Sequence, residues 1–197
     1  MDEAAVFRLL DELAEFGRAN DARETDRSRR MLNITPDVGR LLSMLARVLN
    51  ARHILELGTS NGYSTIWLAW AATATGGHVT TIEAAPNKIA MARENLARVD
   101  LINRVTIREG RILDVLPDVT GPFDLILLDA DRPNYTAYLD PLLRALRVGG
   151  LLATDNVVSH AAEVAGFLGR LRAHPAVETV TLPVGSGVEL TYKRQDG

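Results

Sequence analysis

The 197-residue chain has no cysteine. A disulfide framework, a thiolate metal centre and a cysteine nucleophile are therefore all excluded. Nor does any apolar run approach the roughly 18 residues that a membrane-spanning helix needs. The opening Met1-Asp2-Glu3-Ala4 is acidic and lacks the basic-then-apolar order of a secretory signal. A surplus of one charge is missing too. The 22 basic residues face 25 acidic ones, a formal net charge of −3, so nucleic acid is not expected as the main partner. The expectation is a soluble, cytoplasmic protein that meets neither nucleic acid nor membrane. Internal repeats and low-complexity tracts are absent as well. With 47% hydrophobic residues the chain can fill the core of one domain over 1–197. That domain divides into N-terminal helices in 1–50 and an α/β core in 51–197.

Residues 2–19 place Val6, Leu9, Leu10, Leu13 and Phe16 at helical spacing, which predicts an amphipathic helix. The polar run Asn20–Arg30 reads as a connector or fraying helix end. Its four arginines suit a solvated face, with a site for an anionic substrate tail as the alternative. Thr35 and Pro36 start a second helix as N-cap and first helical residue. From His53 the rhythm becomes strand, turn, helix. Strands are predicted at 53–57, 78–83, 105–109, 123–129 and 151–155, with helices at 63–74, 87–99, 135–146 and 160–173. Short, nearly all-apolar strands alternating with helices indicate a doubly wound, mostly parallel sheet covered on both faces. Residues 177–182 and 188–193, joined by Pro183-Val184-Gly185-Ser186-Gly187, add a closing antiparallel hairpin and bring the sheet to seven strands.

The segment Ile54-Leu55-Glu56-Leu57-Gly58-Thr59-Ser60-Asn61-Gly62-Tyr63-Ser64 joins the first strand to its helix, where such sheets hold nucleotide-like ligands. Its two glycines are spaced by three residues and do not form G-x-G-x-x-G, the spacing of a pyrophosphate cradle. Glu56 would repel phosphate, yet it suits an ammonium or a sulfonium. Gly58 permits close backbone approach, and Ser64 can meet a carboxylate at the helix start. Glu83 ends the second strand about 20 residues beyond Gly62, where it can accept hydrogen bonds from ribose hydroxyls. Gly110, Arg111 and Ile112 follow the third strand and can frame an adenine. Five carboxylates (Glu56, Glu83, Glu109, Asp129, Asp155) fall at five strand ends. Such a row repels itself unless a cation or cationic ligand lies among it. Asp129, Asp155 and Asn156 offer hard oxygen ligands suited to Mg²⁺ or Ca²⁺, the alternative being an Asp-Asn turn before His160.

Together these residues resemble the cation-dependent O-methyltransferases of the catechol and caffeoyl-CoA type, within the class I S-adenosylmethionine-dependent methyltransferases. The resemblance covers nearly the whole chain and is most specific at Leu55–Ser64 and at Leu128-Asp129-Ala130-Asp131-Arg132, which is similar to the family's L-D-A-D-K signature. It implies a Rossmann-like fold and an enzyme that methylates a small phenolic or catechol-like acceptor. Ile34, Glu56, Gly58, Ser60, Ser64, Glu83, Asp129 and the backbone of Gly110 and Arg111 are then expected around S-adenosylmethionine. Asp129, Asp155 and Asn156 are expected to hold a divalent cation, magnesium by preference, and a homodimer fits the family habit.

Three departures stand out. Arg132 occupies the place of a lysine that helps to deprotonate the acceptor hydroxyl, and arginine stays protonated. On this reading Asp129 and Arg132 are the catalytic residues, Arg132 acting by charge, and the proton leaves to water or to His160. Arg111 stands where a small or acidic residue is usual. The segment after Asn156 lacks an insertion that helps many relatives to build the acceptor pocket. The competing readings are a donor-binding protein without turnover and an NAD-linked oxidoreductase. The latter is disfavoured by the glycine spacing and by the lack of a Tyr-x-x-x-Lys pair.

Overall fold

In the computed structural model, which describes residues 2–196, one seven-stranded sheet carries the whole chain. The strands are β1 (His53–Leu57), β2 (His78–Glu83), β3 (Val105–Glu109), β4 (Phe123–Leu128), β5 (Leu146–Thr154), β6 (Val177–Leu182) and β7 (Val188–Lys193). Their order across the sheet is β3-β2-β1-β4-β5-β7-β6. The first five strands run parallel, β7 is antiparallel to β5, and β6 pairs with β7 as the expected hairpin. The order reverses between β1 and β4, which opens a crevice at their carboxyl ends.

Strand alternation sorts the core into two layers. Ile54, Leu125, Leu127 and Ala153 face one side, where they pack with α1 (Glu3–Arg23), α2 (Pro36–Val48) and α3 (Tyr63–Thr75). Leu55, Leu57, Ile126, Leu128 and Leu152 face the other, against α6 (Tyr135–Ala145) and α7 (Ala161–Arg172). Trp67 and Trp70 lie in the first layer with Phe7, edge to face, and so belong to the core as expected. The two remaining helices are α4 (Pro86–Arg98) and the four-residue α5 (Ile112–Val115).

Local signals account for most boundaries. Thr35 Oγ1 accepts the Val38 N–H and Pro36 opens α2. Gly62, at φ 85°, turns the chain into α3. Three features depart from the sequence expectation. Helix α1 runs on to Arg23, followed by a 3-10 turn at Arg27–Arg29, so little of the expected connector is irregular. Strand β5 begins at Leu146 and not at 151, because Gly149 (φ 78°) lets the strand bulge between its pairings Phe123↔Leu146 and Leu125↔Leu151. Helix α5 has too few residues to show a period.

Candidate active site

Backbone hydrogen bonds stitch the strand ends into one ledge. The N–H of Gly58 donates to Ile82 O, that of Gly110 to Glu83 O, that of Asp129 to Leu57 O and that of Asp155 to Leu128 O. Each residue leaving its strand is thereby pinned to the end of the next strand. Above the ledge opens a cavity of about 850 Å³, walled by the turn 58–64, Glu83, 110–113, 129–132 and Asn156, and roofed by 31–34. Of the expected residues, Ile34, Gly58, Ser60, Ser64, Glu83, Gly110, Arg111, Asp129, Arg132 and Asn156 all line this cavity. The other two, Glu56 and Asp155, are buried and are not among the lining residues.

Gly58 has φ 101°, and a Cβ there would stand 2.1 Å from the carbonyl oxygen of Asp129. The first turn and the end of β4 can meet this closely only with glycine. Glu83 is held by three backbone donors: Ser60 N–H at 2.9 Å on one oxygen, Ala84 and Ala85 N–H at 2.9 Å each on the other. A carboxylate oxygen has spare lone pairs, so the group can still accept hydroxyl donors from a ligand. Ser60 Oγ donates at 2.8 Å to Met31 O. Its hydroxyl and N–H therefore fasten the turn to the roof and to Glu83. The roof is fixed a second time by Asp21 on α1, whose two oxygens accept the N–H groups of Met31 and Leu32 at 2.7 and 2.8 Å.

Glu56 sits beneath the turn, with one oxygen accepting the hydroxyls of Thr65 (2.5 Å) and Thr81 (2.6 Å) and the other unpartnered. Burial pushes its carboxyl up to about 7, against the hydroxyl donors and with help from the Glu83 charge. Glu109 is exposed, ion-paired with Arg93 at 2.7 Å, and does not line the cavity. The supposed row of five carboxylates is thus a cluster of four with one outlier, because β3 is an edge strand whose end is turned to solvent.

Asp129 and Asp155 are close enough to disturb each other. Burial and the Asp155 charge raise the Asp129 carboxyl well above its ordinary range, with the Glu56 charge adding to this and Arg132 and the Asn156 amide opposing it. Burial raises Asp155 likewise. Asp155 Oδ1 is buried without a hydrogen-bond partner. Asn156, in the left-handed region at φ 67°, extends its amide to Asp129 Oδ1 at 2.9 Å. Two crowded carboxylates with an orphaned oxygen are unfavourable as anions in a low dielectric unless a cation compensates them. All of these donors are hard oxygens, and the residues fit Mg²⁺ or Ca²⁺. No cluster of three or more acidic, histidine or cysteine side chains suited to a metal occurs among the described residues, so a third protein ligand would come from Asn156.

Arg132 is buried as well, its charge acting on Asp129 and its Nε–H donating to Glu163 on α7 at 2.8 Å. Nearby, Tyr138 donates its hydroxyl to Asp131 at 2.5 Å and Tyr135 accepts the Ala130 N–H at 3.2 Å. Both phenols are raised by burial. His160 lines the cavity and precedes α7, its Nδ1 engaged with Ser159 Oγ at 2.8 Å. His53 and His78 start β1 and β2 at the far end of the sheet, as expected. The short segment after Asn156 is a tight turn. Its Val157, Val158 and Ser159 N–H groups all donate to Ser186 or Gly187 of the hairpin loop. Sequence reasoning missed Asp21, Glu163 and the fastening role of Ser60. Their partners lie 10 or more residues away, and no spacing rule links them.

Over 131 residues the chain is 43% identical to the catechol O-methyltransferase of Niastella koreensis, which covers 64% of this chain and 59% of that protein. Over 147 residues it is 40% identical to the catechol O-methyltransferase of Mycobacterium tuberculosis, covering 74% of this chain and 64% of that protein. The chain thus matches less than two thirds of the length of these two relatives. The O-methyltransferase TomG of Streptomyces achromogenes, whose crystal structure is in complex with SAM, superposes with a TM-score of 0.83 at 30% identity, covering 99% of this chain and 91% of that one. Residues 8–194 match the family described as O-methyltransferase, and the chain belongs to that family.

Proposed function

We propose that this O-methyltransferase moves the methyl group of S-adenosylmethionine to a hydroxyl of a small catechol-like acceptor, with a divalent cation held by Asp129, Asp155 and Asn156. The observation that carries the reading is the buried, mutually repelling Asp129–Asp155 pair with its orphaned oxygen. It lies beside a fixed cation, Arg132, in the same cavity as the turn 58–64. The catechol names of the two relatives and the SAM-bound TomG support the same assignment.

Methyl transfer from a sulfonium is an in-line displacement. The S–CH₃ bond breaks as the O–CH₃ bond forms, and S-adenosylhomocysteine leaves. The protein's part is chiefly alignment. Glu83, preset by three backbone donors, takes the ribose hydroxyls, and Gly58 lets the ligand's methionyl end lie against the ledge. Gly110 and Arg111 frame the base, with Arg111 exposed and its guanidinium 4.0 Å from Asp114. Ser64, in the first turn of α3, meets the methionyl carboxylate, and Ile34 packs near donor and acceptor. Asp129 in the cavity and Glu56 beneath the turn are acidic groups whose raised carboxyls would ionise more readily beside a sulfonium than beside a neutral or anionic group. A bound divalent cation supplies Lewis-acid polarisation that lowers the pKa of a coordinated hydroxyl. The acceptor's proton leaves to water or to His160, which lines the same cavity. Arg132 cannot accept it and instead stabilises the acceptor oxygen as an anion by charge and hydrogen bonding.

A panel of phenols with labelled S-adenosylmethionine, run with Mg²⁺ and with EDTA, tests the reading. Vicinal diols are methylated only with the metal present if it is right. Turnover unchanged by EDTA removes the cation, and transfer confined to monophenols removes the catechol-like acceptor.

A further inference from the structure

The lysine-to-arginine departure at position 132 does not stand alone in the structure. Arg132 follows the Asp129-Ala130-Asp131 run and lies in the 3-10 turn Arg132–Asn134, with its side chain only 5% exposed. A guanidinium buried this deeply needs a counter-charge. It finds one in Glu163, which sits half-exposed in the first turn of α7, where the helix N-terminus favours a carboxylate. The contact is made through Nε at 2.8 Å. Among the described residues the two Nη groups have no hydrogen-bond partner, while the residue lines the same cavity as Asp129 and Asn156.

This arrangement divides the planar fork into two edges with different tasks. Arginine presents five N–H donors in a fixed plane, so seizing Nε from one side fixes where the other edge points. A lysine at the same place would be a rotatable point charge and would gain no such orientation from a neighbour. The carboxylate of Glu163 also faces His160 and Arg27, whose charges act on it after that of Arg132. Its partner of contact is nevertheless Arg132. We propose that Glu163 is a positioning residue of the methyl-transfer reaction: by anchoring Nε it aims the Nη edge of Arg132 at the acceptor oxygen. The inference rests on the placement of the acceptor oxygen near Arg132 given under the proposed function.

The experiment is a double-mutant cycle of Glu163→Ala and Arg132→Ala, with Glu163→Gln as the conservative variant. The measurements are kcat for 4-nitrocatechol with S-adenosylmethionine and Mg²⁺, the donor Kd by calorimetry, and the absorbance of bound 4-nitrocatechol, which reports its ionisation. E163A is expected to lower kcat on the order of 10- to 100-fold, the scale of a misplaced catalytic contact. Donor Kd should stay within about twofold, and the pH at which bound nitrocatechol ionises should move up. In the R132A background the same change should alter kcat less than about twofold, since the two residues act as a unit. E163Q keeps an oxygen for the Nε–H and should recover most of the loss. It also carries the test should E163A fold poorly. Wild-type kcat in E163A, or an equal loss with and without Arg132, overturns the positioning role. If R132A itself leaves kcat and the nitrocatechol spectrum unchanged, what fails is the placement of the acceptor at Arg132.

Discussion

Gly58 and the carbonyl oxygen of Asp129 stand so close that an added Cβ would lie 2.1 Å from that oxygen. This contact brings the turn after β1 against the end of β4 and so joins the wall of the expected donor site to the acidic pair. Glycine at 58 does two things at once. It accepts φ 101°, and it leaves room for the neighbouring backbone, which cannot move without breaking the Asp129 N–H to Leu57 O bond at 3.1 Å.

Gly58→Ala is therefore expected to lose both stability and donor binding. The left-handed penalty costs about 1–2 kcal/mol and the overpacking about 1–3 kcal/mol. Urea unfolding should show the first effect and calorimetry with S-adenosylmethionine the second. An alanine variant with native midpoint and native Kd would show that the turn is not bound to the β4 end in this way.

Glu83→Ala should weaken donor affinity by about 1–3 kcal/mol, the cost of losing a hydrogen bond to a charged group. It also releases the Ser60 N–H that the carboxylate now holds. The diagnostic comparison is S-adenosylmethionine against an analogue lacking the ribose hydroxyls. The two should differ strongly in wild type and little in the variant.

Asp155→Ala is expected to abolish metal-dependent turnover and leave donor binding almost unchanged, since Asp155 is assigned to the cation and not to the donor. Chelation of the wild-type protein should have the same effect and be reversed by Mg²⁺. Full activity of the variant with a catechol acceptor would remove this carboxylate from any metal site.

Glu56 gives a pH prediction. Its folded carboxyl titrates at about 7, against an ordinary 4.5, because it is buried. A raised acid holds its proton longer in the folded state. Its favourable contribution is complete below pH 4.5 and is lost as pH rises through 7. Glutamine copies the protonated form, with its oxygen free to accept the Thr65 and Thr81 hydroxyls. Glu56→Gln should therefore match wild type below about pH 4 and exceed its ligand-free stability by about 3 kcal/mol above pH 8. Chemical denaturation at both pH values checks this, and parallel stability curves would contradict it.

The sheet is legible in the sequence because its strands are short apolar runs set between turn residues, a pattern that does not depend on their partners. The second-helix cap at Thr35-Pro36, the turn 58–64 and the closing hairpin were legible for the same reason: each is local chemistry. Glu83, Asp129 and Asn156 could be placed at one edge because parallel strands put their ends together. Helix α5 was too short to announce itself, and the early start of β5 was hidden by a glycine pair that reads as a turn.

By itself the amino-acid sequence determined the doubly wound order, the residues at the strand ends and the kinship with O-methyltransferases, since all three depend on neighbours along the chain or on motif spacing. Tertiary structure alone decided which carboxylates meet the cavity, sending Glu109 to solvent with Arg93 and sinking Glu56 beneath the turn. It alone gave Arg132 its partner, 31 residues away on another helix. The physical reason is that burial, charge coupling and hydrogen-bond direction arise between distant segments, and no periodicity along a single chain encodes them.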